Sequence, residues 1–132
     1  MAKLDGPSTT AGGVLNGNIG TAVVAATHIA LGAGWGGAAT VAVLSGSNSQ
    51  RGRITVTAST TTPAQATASI TLTFPDPYTS APHCICKDTT NDNSLTAASG
   101  FTVATTTTTA TFQFSILPVD TKVYVLHYAF SL

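Results

Sequence analysis

The sequence predicts an all-β fold, an antiparallel β-sandwich or jelly roll of about seven or eight strands that follows an extended N-terminal arm. The 132 residues include 25 Thr and no Glu, a composition that favours strands because helix formers other than Ala are scarce. Several segments alternate apolar and polar residues with a period of two, as strands with one buried face do. Turn-forming residues separate these segments at intervals of about ten to twenty residues, which is typical of sandwiches.

The chain divides into an arm, residues 1–20, and a sandwich domain, residues 21–132. The arm is small, polar and Gly-rich, and it has no apolar periodicity that would let it fold alone. Val14, Leu15 and Ile19 nevertheless give it some apolar character. Two interpretations stay open: a flexible tail, or a segment that becomes ordered along a partner subunit. In the second interpretation these three residues are candidate partner contacts.

Residues 21–31 are predicted to form the first strand, with a short helix as the alternative because the segment is rich in Ala. Its β-branched residues favour the strand. The segment is too short to span a bilayer, so we expect no membrane interaction. Trp35 follows between two glycines. There it either plugs the end of the sandwich or anchors the arm on a partner, and in the latter case it is a candidate partner contact.

Three later segments show the clearest alternation. Their predicted inward-facing residues are Ile54, Val56 and Ala58, then Ala68, Ile70, Leu72 and Phe74, and finally Phe112, Phe114 and Ile116. Thr, Ser, Arg and Gln occupy the alternating positions, so each strand is expected to bury one face. Turn signals lie at 45–49, 62–63, 75–77, 91–94, 99–100 and 117–120.

The last segment, residues 123–132, is apolar on both faces. Tyr124, Leu126, Tyr128 and Phe130 alternate with Val123, Val125, His127 and Ala129. A strand of this kind lies at the centre of a sandwich or at a subunit contact. We expect the Tyr and Phe side chains to face the core, and we interpret Val123, Val125 and His127 as candidate partner contacts.

No sequence pattern indicates catalysis. General acid–base chemistry needs convergent carboxylates, whereas all five Asp residues lie in predicted turns, where Asp commonly bonds nearby backbone amides. The sequence contains no nucleophile elbow, no phosphate-binding loop and no dinucleotide-binding fingerprint. We therefore expect a non-enzymatic protein without a cofactor.

His83, Cys84 and Cys86 place three potential metal ligands within four residues. In a strand, Cys84 and Cys86 point to one face about 7 Å apart while His83 points to the other, so this segment alone cannot close a tetrahedral zinc site. We interpret both cysteines as small buried hydrophobic residues and predict no metal site. A thiol exposed at a subunit contact stays open as the alternative.

Charged residues make up 8% of the chain, and the formal net charge is zero. A surface with so little charge is poorly protected against association, so we expect self-association, with a homotrimer favoured. The balanced charge gives no electrostatic footprint for nucleic acid or for an anionic membrane. The apolar stretch of a secretory signal does not follow Lys3, so we expect synthesis in the cytosol.

A series of short motifs runs along residues 33–132. It consists of Gly36-Gly37-Ala38-Ala39-Thr40-Val41-Ala42-Val43, Ser45-Gly46-Ser47 with Arg51-Gly52-Arg53-Ile54-Thr55-Val56-Thr57, the segment 68–74, the corner Tyr78-Thr79-Ser80-Ala81-Pro82, Gly100-Phe101-Thr102-Val103 and the Tyr-rich segment 124–128. This series resembles a β-sandwich domain on the virion surface of tailed bacteriophages, found in capsid decoration or cement proteins, head fibres and tail-fibre tips. His83-Cys84-Ile85-Cys86 departs from the pattern, which usually has plain aliphatic residues there.

The resemblance implies a non-enzymatic and often trimeric component of the virion surface. The expected function is that of a decoration protein, which binds the major capsid protein on the capsid exterior and stabilises contacts between capsid subunits. The alternative is a receptor-binding tip or a head- or tail-fibre domain that recognises the host surface, including its carbohydrate. Such a tip would place its main contacts in distal loops such as residues 88–99.

Overall fold

The computed structural model describes residues 22–59, 67–90 and 101–132 of the chain. The arm predicted for residues 1–20 lies outside the described residues, together with its candidate contacts Val14, Leu15 and Ile19. The fold is therefore that of the sandwich domain.

Eight strands form within the described residues. They are β1 (Ile29–Leu31), β2 (Thr40–Val43), β3 (Arg51–Thr57), β4 (Ala68–Thr73), β5 (His83–Asp88), β6 (Thr102–Thr105), β7 (Thr109–Phe114) and β8 (Val123–Ser131). In this part of the chain the helical segments are two short 3-10 turns, Ala26–His28 and Ala33–Trp35. The prediction of an all-β fold with about seven or eight strands is confirmed.

The strands form two four-stranded antiparallel sheets. Sheet A has the order β1-β4-β7-β6, and sheet B has the order β2-β3-β8-β5. The β2-β3 and β6-β7 connections stay within one sheet, whereas the other connections cross from one sheet to the other. Crossing connections bring distant segments side by side, so each sheet face is assembled from residues that are far apart in the sequence.

The core between the sheets follows the predicted alternation. Along residues 54–58 and 68–74 each predicted inward side chain is at most 3% exposed, as are Phe112 and Phe114. The inward side chains of β8 are also at most 3% exposed. Ile116, which lies beyond the end of β7, is only partly buried against this core. Aromatic rings meet edge to face in the core, and such contacts add to the stabilisation from burial.

The strand predicted for residues 21–31 is shorter than expected. Among residues 22–31, only Ile29–Leu31 forms a strand, β1, which pairs with β4. Upstream, the chain turns through Ala26–His28, where the imidazole Nδ1 of His28 accepts a hydrogen bond from the backbone N–H of Ala25 at 3.0 Å. This local bond closes a turn in a segment whose β-branched residues alone predict a strand.

Trp35 plugs one end of the sandwich and is fully buried. Its indole N–H donates a 2.8 Å hydrogen bond to the backbone carbonyl of Ser69. The centre of its ring system lies 5.4 Å from that of Tyr124 and 6.3 Å from that of Phe114, both edge to face. The structure therefore supports the plug interpretation, and it corrects the expectation that Trp35 contacts a partner because the side chain has no surface left for one.

Gly34 makes this packing feasible, since a Cβ at Gly34 would lie 2.7 Å from the Cα of Ala68. Gly34→Ala is expected to lower the free energy of unfolding by about 1–3 kcal/mol, the usual cost of overpacking. Ala33→Ser adds one heavy atom at the exposed neighbouring position and should change that free energy by less than about 0.5 kcal/mol. Urea unfolding followed by tryptophan fluorescence measures both variants. A urea midpoint of Gly34→Ala equal to that of the wild type would contradict the close packing at Gly34.

Candidate functional site

The outer face of sheet B, called here the B face, carries the side chains that point away from the core. Strand register arranges them in rows across the sheet. In order, the rows are Thr40 with Thr57 and Val123; Ala42 with Thr55 and Val125; Arg53 with His127 and Lys87; Arg51 with Ala129 and Ile85; and Ser131 with His83. Because neighbouring side chains within a row lie about 5 Å apart, the rows form one continuous surface.

Part of the B face is apolar and open to solvent. Ile85 is 74% exposed and Val123 is 47% exposed. Leu44 follows β2, donates its backbone N–H to the carbonyl of Arg53 and is also exposed. Exposed apolar side chains grouped on one face are typical of protein contact sites.

The structure brings three of the predicted contact residues together. Val123, Val125 and His127 all lie on the outer side of β8. Strand β8 lies between β3 and β5, so these residues stand on a strand that is hydrogen-bonded on both sides. Trp35 does not join them because it is enclosed in the core.

The B face also carries a cationic cluster that sequence analysis missed. Arg53, His127 and Lys87 are directly opposed on β3, β8 and β5, and Arg51 lies in the adjoining row. We call these four residues the basic band. His83 extends it in the last row. Three of the five Lys and Arg residues of the chain therefore stand on one face of one sheet.

Acidic residues are absent from the B face in the part of the chain that the structure describes. Asp76 and Asp120 are exposed in turns. Asp88 is buried at the end of β5, where its Oδ1 accepts a hydrogen bond from the backbone N–H of Thr90 at 2.8 Å.

The outer face of sheet A has a different character. Its rows combine Thr, Ser, Gln and Ala, as in Ala30 with Thr71, Thr111 and Ala104, and in Ser69 with Gln113 and Thr102. Within the described ranges, none of its outward-pointing residues is charged. The charge that the sheet surfaces carry is therefore concentrated on the B face.

Two tyrosine hydroxyls fix the loop between β2 and β3, which borders the basic band. Tyr128 donates a hydrogen bond to the carbonyl of Asn48 at 2.8 Å, and Tyr78 donates one to the carbonyl of Ser49 at 2.5 Å. Gly52 leaves space for this arrangement, since a Cβ there would lie 2.5 Å from the Tyr128 hydroxyl. The loop is thus tied to Tyr128 of β8 and to Tyr78 in the connection between β4 and β5.

Two open cavities flank His127. One has a volume of about 270 Å³ and is bordered by Arg51, Arg53 and the β2-β3 loop. The other has a volume of about 260 Å³ and is bordered by Ile85 and Lys87. Both are smaller than the pockets that usually enclose a small-molecule ligand or cofactor, and their size suits protruding side chains of a partner protein.

Cys84 and Cys86 are free thiols that point inward from β5 and pack, partly buried, against the core. The two thiols hydrogen-bond each other. This bond, followed by burial, raises the pKa of Cys84, whereas the same bond lowers the pKa of Cys86. Cys86 is therefore the more acidic thiol of the pair.

Metal ligation finds no support in residues 22–59, 67–90 and 101–132. No group of three His, Cys or Asp side chains converges there as a metal site. His83 lies on the outer side of β5, opposite to the two cysteines, as the strand geometry predicts. In the same residues, no helix is both long enough and apolar enough to cross a membrane.

The B face is the candidate functional site, and strand register and side-chain exposure define it. Comparison of the chain with family models, with curated proteins and with solved structures gave no match. The outer apolar residues of β8 were the sequence signal that found this face. Its cations gave no such signal because they lie on three strands that are distant in sequence.

Tyr78 and Tyr128, which hold the β2-β3 loop, make the free energy of unfolding fall at alkaline pH. Burial, and secondarily the charge of Cys84, raises the pKa of Tyr78 to about 12. Burial is also the main reason that the pKa of Tyr128 is raised. In the unfolded chain these phenols titrate near pH 10, at about their ordinary pKa. Their contribution to stability is therefore complete below about pH 10 and is lost as the pH rises towards about 12.

Tyr78→Phe is expected to reduce the loss of stability between about pH 10 and 12, because it removes one titrating phenol. It should also lower the free energy of unfolding at neutral pH by about 1–3 kcal/mol, since the carbonyl of Ser49 loses its donor. Urea unfolding at pH 7, 10 and 11.5 measures both effects. Stability curves that fall in parallel for the variant and the wild type above pH 10 would contradict this role.

Alkylation of the thiols tests the pair on β5. A short pulse of iodoacetamide at pH 8 is expected to label Cys86 before Cys84, because the thiolate is the reactive form. Cys84→Ala removes the hydrogen-bond donor and should slow the labelling of Cys86. Peptide mapping by mass spectrometry identifies the labelled residue. Preferential labelling of Cys84, or faster labelling of Cys86 in the variant, would show that the bond does not set the reactivity.

Proposed function

We propose that this protein is a non-enzymatic structural component of a bacteriophage virion, located on the virion surface. It binds the major capsid protein on the capsid exterior as a decoration or cement protein and stabilises contacts between capsid subunits. The observation that carries the proposal is the B face, an exposed apolar and cationic surface on a central, well-supported strand. The motif series along residues 33–132 supports the same assignment.

The B face suits a passive binding role for energetic reasons. Val125 and His127 stand on a strand that is hydrogen-bonded on both sides, and the neighbouring loop is held by Tyr78 and Tyr128. Little backbone entropy is lost when such a surface docks, so a larger share of the contact energy appears as affinity.

The proposed homotrimer fits the outer face of sheet A better than the B face. Two copies that met through their B faces would bring like charges together, whereas the outer face of sheet A offers uncharged residues such as Gln113 and Thr111. Burying uncharged groups costs less desolvation energy than burying unpaired charges. Sedimentation velocity at micromolar concentration tests the oligomer, and the mass of a single chain would refute it.

Val123→Asp tests whether the B face contacts the capsid. It places a charge on an exposed apolar site and should weaken binding to capsids that lack this protein by about tenfold or more. Thr107→Asp adds the same charge in the exposed turn between β6 and β7, and it should leave binding unchanged. Co-sedimentation with capsids measures both variants. Unchanged binding of Val123→Asp would remove the B face from the contact.

Deletion of residues 2–20 separates the arm from the sandwich. If the arm is the capsid anchor, the truncated chain is expected to stay folded, as judged by circular dichroism, and to lose capsid binding. Undiminished binding by the truncated chain would rule out the arm as the anchor. A full-length chain that binds host cells but not capsids would favour the receptor-binding alternative over decoration.

A further inference from the structure

The basic band concentrates positive charge in a molecule that is otherwise nearly uncharged. Arg53, His127 and Lys87 are directly opposed across three strands, and Arg51 stands in the next row. Cross-strand neighbours of this kind lie about 5 Å apart, so the three permanent charges and one imidazole share a patch about 10 Å wide. The net charge of zero for the whole chain therefore hides a strongly uneven distribution.

None of the described residues on the B face is acidic. Grouping Arg51, Arg53 and Lys87 on one face adds repulsion between like charges and does not stabilise the fold. The Nε of Arg53 is shielded from solvent and has no hydrogen-bond acceptor among the described residues. The described carboxylates are directed elsewhere, with Asp76 and Asp120 in turns and Asp88 buried at the inner side of β5.

We propose that the basic band binds a carboxylate-rich surface of a partner protein. Partner Asp and Glu side chains would enter the two cavities beside His127, one bordered by Arg51 and Arg53 and the other by Lys87. Guanidinium groups bind carboxylates through two parallel hydrogen bonds, which gives the contact direction as well as energy. The expected partner chemistry is the same whether or not the partner is a capsid protein.

The composition around the band favours a protein over nucleic acid. Ile85 is 74% exposed in the row of Arg51, and Leu44 is 46% exposed beside Arg53. Protein contacts combine apolar and charged groups in this way. Nucleic-acid surfaces instead rely on many phosphate contacts, for which a patch with three permanent charges is small. A second copy of this chain is a poor partner for the band because its B face carries the same sign of charge.

Binding of the full chain to poly-L-glutamate tests the proposal without any capsid. The wild type is expected to bind this polymer at low ionic strength, more weakly as salt is added, and more tightly than it binds a DNA duplex at equal anionic charge concentration. Fluorescence anisotropy with labelled polymer and labelled duplex measures both affinities. Because no capsid is present, a negative result here leaves the proposed decoration function standing, and failure of capsid binding leaves this inference standing.

A pair of charge-matched variants locates the site. Arg51→Gln combined with Lys87→Gln removes two charges from the band and should weaken poly-L-glutamate binding by about tenfold. Lys3→Gln combined with Lys122→Gln removes the same charge from residues that are not members of the band, and it should weaken binding by less than about twofold. Equal losses in the two double variants, absent binding by the wild type, or tighter binding to DNA would each overturn the proposal. Circular dichroism establishes that both variants are folded.

Discussion

The register of β8 is the constraint on which the rest of the molecule depends. This strand pairs with β3 on one side and β5 on the other, and its residues alternate strictly between the core and the B face. A slip of one residue would expose Tyr124, Leu126, Tyr128 and Phe130 and bury the other set, His127 included. Hydrogen bonds of Tyr128 with Asn48 and of Tyr124 with Val119 hold the register near both ends of the strand.

This register also explains why the two outer faces of the sandwich differ. In sheet A the outward positions hold Thr, Ser, Gln and Ala, which present hydroxyl, amide and methyl groups without charge. In sheet B the same pleat directs Arg51, Arg53 and Lys87 outward while their neighbours Ile54 and Cys86 pack inward. The sandwich therefore offers one neutral face and one cationic face, and these two surfaces are suited to different partners.

Sequence patterns predicted the parts of the fold that depend on residues close together in the chain. Period-two alternation located β3, β4, β7 and β8 because burial of one face dictates each inward residue. The same reasoning failed at residues 26–28, where the bond from Ala25 to the His28 imidazole closes a turn. It also missed the basic band, since Arg53, His127 and Lys87 become neighbours only through pairing within sheet B of strands that are distant in sequence. Trp35 was ambiguous because its hydrogen-bond acceptor, Ser69, is far away in sequence.

A structural role accounts for only part of the basic band. Lys87 lies on β5, an edge strand of sheet B, and a lysine there opposes edge-to-edge pairing with another sheet. That explanation does not extend to Arg53 or His127, because β3 and β8 are interior strands with both edges already paired. The described acidic residues do not stand on the B face, since Asp76 and Asp120 lie in turns and Asp88 is buried at the end of β5. Since Arg53 and His127 lie on interior strands and protect no edge, their placement is best explained by an anion that comes from outside the chain.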